Sequence, residues 1–366
     1  MIGALAGLFP RLPAPVALTA LAISVGASFD CLAQQAIGRP APQLDVRSSP
    51  AETLSQLPTL LKEKYPSVRS LMLVRGTCVA FEHYRKDIDA ETRSPVHSIT
   101  KSVLSILTGI ALDRGYLRLD QKLPELLPEA LEQTVDPGAR DITVRDLLTM
   151  TSGFDATAKS TKSGIPISDT WRWMINRPMI HAPGSQFDYD DTGANLASVV
   201  LKRAIGQDPG QFARQNLFDS MRIANYRWIS DYEGNLIIGN GLSLTARDMA
   251  KIGVLYLQHG RWGDRQLVSN EFVADSTTKH NEGGPPVHAA YGYMWWMKKT
   301  KTDLDAFFAA GSGSQLIYIV PKLELVVALA AGPSVPEGSV EFVNEVVLPA
   351  ATTLPGAPEC IARLAQ

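Results

Sequence analysis

The sequence predicts a mixed α/β protein of the α+β kind, an antiparallel sheet flanked by helices and joined to an all-helical region. Three observations carry this. β-patterned runs gather at both ends of the chain, in Ser70–Tyr84 and Tyr291–Leu329. Helix-periodic segments fill the middle. The strands come as hairpins with tight turns, which argues against a doubly wound parallel sheet. The sheet is expected from residues 51–120 and 240–366, and the helical part from 121–239. No internal repeat, G-x-G-x-x-G or P-loop occurs.

The 366 residues are 45% hydrophobic and 20% charged, with net charge −2. This is an ordinary globular balance without the basic footprint of a nucleic-acid binder or a basic run for an anionic membrane surface. Residues 1–33 differ in kind. Arg11 is the one charge before Asp30, and Pro15–Ala27 is an apolar run of signal-peptide length, too short for a comfortable membrane span. Cleavage fits after Cys31-Leu32-Ala33 or after Val25-Gly26-Ala27. The expectation is export to the periplasm or the medium, with no stable membrane insertion afterwards. Cys31 follows Phe29-Asp30, not the small residues of a lipoprotein site. Cys78 and Cys360 then remain, either as a disulfide or as two separate buried thiols.

Gln34–Pro50 is polar and proline-rich and reads as a linker. Ala51–Lys64 keeps helical spacing through Leu54, Leu57, Leu60 and Leu61, with Pro58 as a candidate break. Ser70–Val74 and Thr77–Tyr84 read as a hairpin turning at Arg75-Gly76. A helix follows from Ser98 to Gly115, and Thr143 caps another over Val144–Met150. Further helices are expected at Asp169–Asn176, Gly193–Ala204, Pro209–Phe218 and, capped by Thr245, Ala246–His259. Tyr291–Met297, Ala306–Ala309, Gln315–Val320 and Leu323–Leu329 read as strands, and Val340–Ala351 as a closing helix.

Ser98 opens an apolar-periodic helix and Lys101 follows three positions later, so hydroxyl and ammonium share a helix face. A serine needs a nearby base to act as a nucleophile, and a helix N-terminus favours a developing oxyanion. Such a pair is equally a helix cap with an exposed lysine. Tyr189, between the Pro183-Gly184 turn and a helix, is either a packed aromatic or a proton shuttle. Gly311-Ser312-Gly313-Ser314 is either a flexible turn or a close backbone approach that supplies an oxyanion donor. It does not match Gly-x-Ser-x-Gly and precedes a strand rather than a helix, so an α/β-hydrolase elbow fits poorly. The histidines at 83, 97, 181, 259, 280 and 288 have no metal-ligand spacing.

The order Ser98-x-x-Lys101, Leu147–Gly153, Pro183-Gly184, Phe187-x-Tyr189 and the glycine-rich entry to a C-terminal strand resembles the serine β-lactamase-related hydrolases. These include class C β-lactamases, D-alanyl-D-alanine carboxypeptidases, and esterases and amidases of the 6-aminohexanoate-dimer hydrolase type. The resemblance spans Glu52 to Leu348 and implies the β-lactamase/transpeptidase-like fold, with the site between sheet and helices. It implies Ser98 as the acylated nucleophile, Lys101 as its base, and Tyr189 as the tyrosine of Tyr-x-Asn, with Asp191 in place of the asparagine. The family's Lys-Thr-Gly or His-x-Gly strand motif is met here by Ala309-Ala310-Gly311. Its cation is gone, which points away from substrate carboxylates and toward a small neutral ester or amide. The resemblance puts the oxyanion donors at the N–H groups of Ser98 and Ser312; Asp191, Gly311 and Trp295 are the candidate substrate contacts. Trp171, Tyr291, Trp295 and Trp296 are candidates for an acyl pocket or for core. No cofactor or metal is implied. The alternative role is a relative that is acylated without turnover, a sensor or binding module.

Overall fold

The computed structural model describes residues 50–133, 135–158, 170–332, 335, 338–352 and 362–364. The expected leader, the linker up to residue 49 and Cys360 lie outside the described residues. The described residues belong to one compact unit.

Helix α1 (Pro50–Lys64) runs through Pro58 without a break. Leu57 and Leu61 are buried on one side and hold the turns around it. Strands β1 (Val68–Arg75) and β2 (Cys78–Tyr84) form the expected hairpin. Helix α2 (Ile99–Asp113) follows, and thirteen of its fifteen residues are buried, so it is a core helix rather than a surface one. Helix α3 (Val144–Leu148) is capped by Thr143 in a reciprocal capping box with Asp146. Helix α4 (Asp191–Ile205) packs on α2 and α3 and ends at Gly206, whose φ is +63°. Helix α5 (Ala246–Leu257) lies against the sheet.

The expected strand Tyr291–Met297 is two strands, β3 (Ala290–Tyr291) and β4 (Trp296–Lys299). Between them Met294 takes a φ of +59°, donates its N–H to the Leu148 carbonyl and accepts from Ser102 Oγ at 2.6 Å. The chain bends to reach α2 and α3, which breaks the two-residue alternation. Strands β5 (Asp305–Gly311), β6 (Gln315–Val320) and β7 (Leu325–Ala331) follow. β7 starts two residues later than expected because Pro321–Leu323 makes a 3-10 turn and Glu324 takes a φ of +49°. The expected helix Pro209–Phe218 is α-helical to Ala213 and π-helical over Arg214–Phe218. A closing helical segment covers 339–352.

The sheet is antiparallel throughout. With β8 (Ala362–Arg363) its eight strands run β8-β2-β1-β7-β6-β5-β4-β3. β1 pairs with β7 at its centre, Leu71 opposite Leu329 and Leu73 opposite Val327. N- and C-terminal parts therefore share one sheet. Every residue of β6 and β7 is buried, which explains why these strands read as continuous apolar runs. The short strands Ser94–Pro95, Leu242–Leu244 and Arg227–Trp228 form a second small sheet. Cys78 is disulfide-bonded.

Candidate active site

The site is built where the start of α2, the end of β5 and the start of α4 meet. Ser98 stands immediately before α2 with near-helical dihedrals, and its side chain makes no capping bond. The preceding His97 takes a φ of +49°, a conformation that costs an L-residue about 1–2 kcal/mol. Thr100 secures it by donating both N–H and Oγ1–H to the His97 carbonyl. One helical turn on, Lys101 Nζ donates to Ser98 Oγ at 2.9 Å. The two side chains that sequence spacing placed on one face are in contact.

Lys101 is 1% exposed. A buried ammonium needs compensation. Asp191, the first residue of α4, supplies it, with Oδ1 at 2.6 Å from Nζ. The ring of Tyr189 presents its face to the same ammonium, 4.9 Å from the ring centroid. The Leu147–Gly153 stretch holds the tyrosine's loop. The Asp188 N–H donates to the Met150 carbonyl and the Gly184 N–H to the Thr151 carbonyl.

Gly311 closes the other side. A Cβ there would fall 2.3 Å from the Val96 carbonyl oxygen and 3.2 Å from the Ser98 nitrogen. Only a glycine lets β5 end against the backbone of Ser98. Ser312 follows in the exposed turn before β6. Among the described residues no group of three or more His, Cys, Asp or Glu is placed to hold a metal ion.

The four aromatic candidates separate. Trp296 stacks on Tyr189 with centroids 5.7 Å apart and meets Tyr291 edge-on at 4.5 Å. Phe187 packs edge-on against both Trp296 and Tyr291. Burial pushes the Tyr291 hydroxyl well above its usual pKa, with Tyr189 and Asp191 adding to the effect. A hollow of about 500 Å³ opens beside Phe187, lined also by Gln186, His280 and Asn281. Trp295 is not in this cluster. It is fully buried, 4.2 Å from the Tyr256 ring and edge-on to Phe307, so its expected substrate contact gives way to a core position. Trp171 packs under Arg172 and Arg203 in the middle segment. A second hollow of about 490 Å³, lined by Arg222, Lys251, Arg265 and Arg363, includes none of the site residues.

Sequence spacing missed the buried pair of Arg177 and Asp190, whose guanidinium and carboxylate meet at 2.7 Å. Asp190 caps α4 by accepting from the Thr192 N–H, which is why that helix starts at Asp191 rather than at the expected Gly193.

The family model for beta-lactamase matches residues 54–351. The chain is 21% identical over 289 residues to 6-aminohexanoate-dimer hydrolase from Paenarthrobacter ureafaciens, covering 72% of each. Its fold is similar to that of EstCE1, a hydrolase with promiscuous acyltransferase activity, at a TM-score of 0.67 and 13% identity, over 82% of this chain and 98% of that one. It is similar as well to a D-stereospecific amidohydrolase from Streptomyces sp., at a TM-score of 0.60 and 16% identity, over 81% and 98%. The antiparallel sheet with its flanking helices and the match over most of its length place this chain in the beta-lactamase family of hydrolases.

Proposed function

We propose that the protein is a serine hydrolase that works through an acyl-enzyme on Ser98, with a small neutral ester or amide as substrate. The observation that carries this reading is the 2.9 Å contact from Lys101 Nζ to Ser98 Oγ at the start of a buried helix. In acylation the Ser98 Oγ–carbonyl carbon bond forms and the bond to the leaving group breaks. The hydroxyl proton travels through the Lys101 and Tyr189 pair to the leaving alcohol or amine. Because Asp191 keeps a counter-charge on Lys101, the proton-accepting part shifts toward Tyr189. The oxyanion is assigned to the N–H groups of Ser98 and Ser312, each worth about 3 kcal/mol in systems of this kind. Water then attacks the acyl carbonyl, the Ser98 Oγ–carbon bond breaks, the carboxylic acid leaves, and a proton from the water returns to Ser98 Oγ through the same Lys101 and Tyr189 pair.

The substrate class follows from charge. Ala309 and Ala310 precede Gly311 at the end of β5 and offer no cation for a substrate carboxylate. The hydrolase names of the related proteins support an ester or amide. The leader-like residues 1–33 support an exported enzyme, periplasmic or secreted, that acts on a small molecule with neither nucleic acid nor membrane as partner.

A fluorophosphonate probe and a short-chain nitrophenyl ester test the reading. Expected are a single adduct on Ser98 by mass spectrometry and hydrolysis abolished in Ser98→Ala. An unlabelled wild-type protein with no Ser98-dependent turnover overturns it. Labelling without turnover shifts it to the acylated sensor, which the Lys101–Asp191 pairing favours as the second reading.

A further inference from the structure

Arg177 takes no part in the steps above, yet it is the most elaborately held arginine among the described residues. Its side chain is fully buried. Nη1 and Nη2 donate to the two carboxylate oxygens of Asp190 at 3.0 and 2.7 Å. Nε donates to the Met174 carbonyl and Nη1 also to the Asp155 carbonyl. The guanidinium lies over the Phe154 ring at 4.7 Å.

Asp190 is the residue between Tyr189 and Asp191, the two groups that flank Lys101. A two-point contact fixes the plane and rotation of a carboxylate, and through it the backbone on either side. Asp190 also starts α4 through the Thr192 N–H. The helix leaves room for this carboxylate with Gly193, where a Cβ would stand 2.5 Å from Asp190 Oδ2. The loop bearing Arg177 is itself tied to the Gly153 carbonyl by the N–H groups of Ile180 and His181. One guanidinium thus joins the Phe154 segment, its own loop and the Tyr189 segment.

We propose that Arg177 is a positioning residue for catalysis, which through Asp190 sets the places of Tyr189 and Asp191 on either side of Lys101. This rests on the Ser98 hydrolase reading. A buried ion pair adds little net stability over a well-packed apolar pair, so stability alone is a weak reason for its being there. A displacement of about 1 Å in a catalytic group costs on the order of 100-fold in rate, so orientation is a sufficient one.

The experiment compares wild type, Arg177→Lys and the double variant Arg177→Met/Asp190→Asn on a nitrophenyl ester, with thermal melts alongside. The double variant leaves no buried charge unpaired, and its asparagine side chain still offers an oxygen to cap α4. It is expected to melt within about 3 °C of wild type while kcat stays down by about 10- to 100-fold and KM changes by less than about twofold. Arg177→Lys, limited to one-point contact, is expected to fold with a kcat between the two. Wild-type kcat in the double variant, or in folded Arg177→Lys should the double variant fail to fold, overturns the proposal. Failure of wild type to acylate Ser98 strikes the hydrolase reading instead and takes the proposal with it. Acylated wild type with unaffected variants strikes the positioning role alone.

Discussion

Lys101 and Asp191 meet at 2.6 Å with opposite exposures, the lysine side chain 1% open to solvent and the aspartate 63%. The carboxylate neutralises the ammonium beneath it and presents the rest of its charge to whatever enters. Asp191→Asn keeps the shape and removes the charge. We expect a loss of about 1–2 kcal/mol in urea denaturation, less than for a fully buried pair because water already screens one partner. We also expect an ester carrying a carboxylate on its acyl part to gain roughly fivefold in kcat/KM over its neutral isostere, from about 1 kcal/mol of relieved repulsion. An unchanged ratio would mean that the substrate does not pass Asp191.

Gly311→Ala tests the contact between β5 and the turn before α2. The added methyl would stand 2.3 Å from the Val96 carbonyl oxygen, so strand and turn must separate. Overpacking of this kind costs about 1–3 kcal/mol. If Ser312 supplies an oxyanion donor, kcat falls on the order of 100-fold as the donor moves. Circular dichroism melts and ester kinetics on the same sample separate the two effects.

The adjacent tryptophans make a paired test. Trp295→Ala opens a cavity in the core and should cost about 3–5 kcal/mol with kcat per folded molecule nearly unchanged. Trp296→Leu removes the ring that stacks on Tyr189 and should alter kcat with a smaller loss of stability. The reverse pattern would exchange their roles.

Alkaline pH should unfold the protein through its tyrosines. Burial raises the Tyr256 hydroxyl to about 12, and the same effect with Glu82 nearby raises Tyr84 to about 12. In the unfolded chain both ionise near pH 10. Their stabilisation is therefore fully present below about pH 10 and is lost as pH climbs toward 12. The melting temperature should fall steeply over that window, with the tyrosinate absorbance rising together with unfolding. Tyr256→Phe should flatten the fall.

Local periodicity offered Ser98 and Lys101 only as a pair one turn apart and left Tyr189 open between a packed aromatic and a proton shuttle. It was the resemblance, carried by the order of Ser98-x-x-Lys101, Pro183-Gly184 and Phe187-x-Tyr189, that singled them out. Trp295 and Trp296 were not distinguishable, because their facing is set by the bend at Met294, where a positive φ resets the strand. The contact of Arg177 with Asp190 joins separate elements and has no spacing to betray it. The small sheet near Ser94 was invisible for a simpler reason, since strands of two or three residues carry no period. One sheet built from both ends of the chain was foreseen from six strand-like runs, of which β6 and β7, buried on both faces and almost wholly apolar, are among the clearest; the split at Met294 and the two-residue β8 bring the strands to eight.

The central pairing of β1 with β7 bears on biosynthesis. On the ribosome the chain emerges N-terminus first, so Ser98 and Lys101 appear long before the strand that ends at Gly311. Until β5 to β7 arrive, β1 has only β2 beside it and Ser98 lacks the wall against its amide. On the Ser98 hydrolase reading, a nascent chain is expected to take up an acyl donor only once the last strands are released and docked.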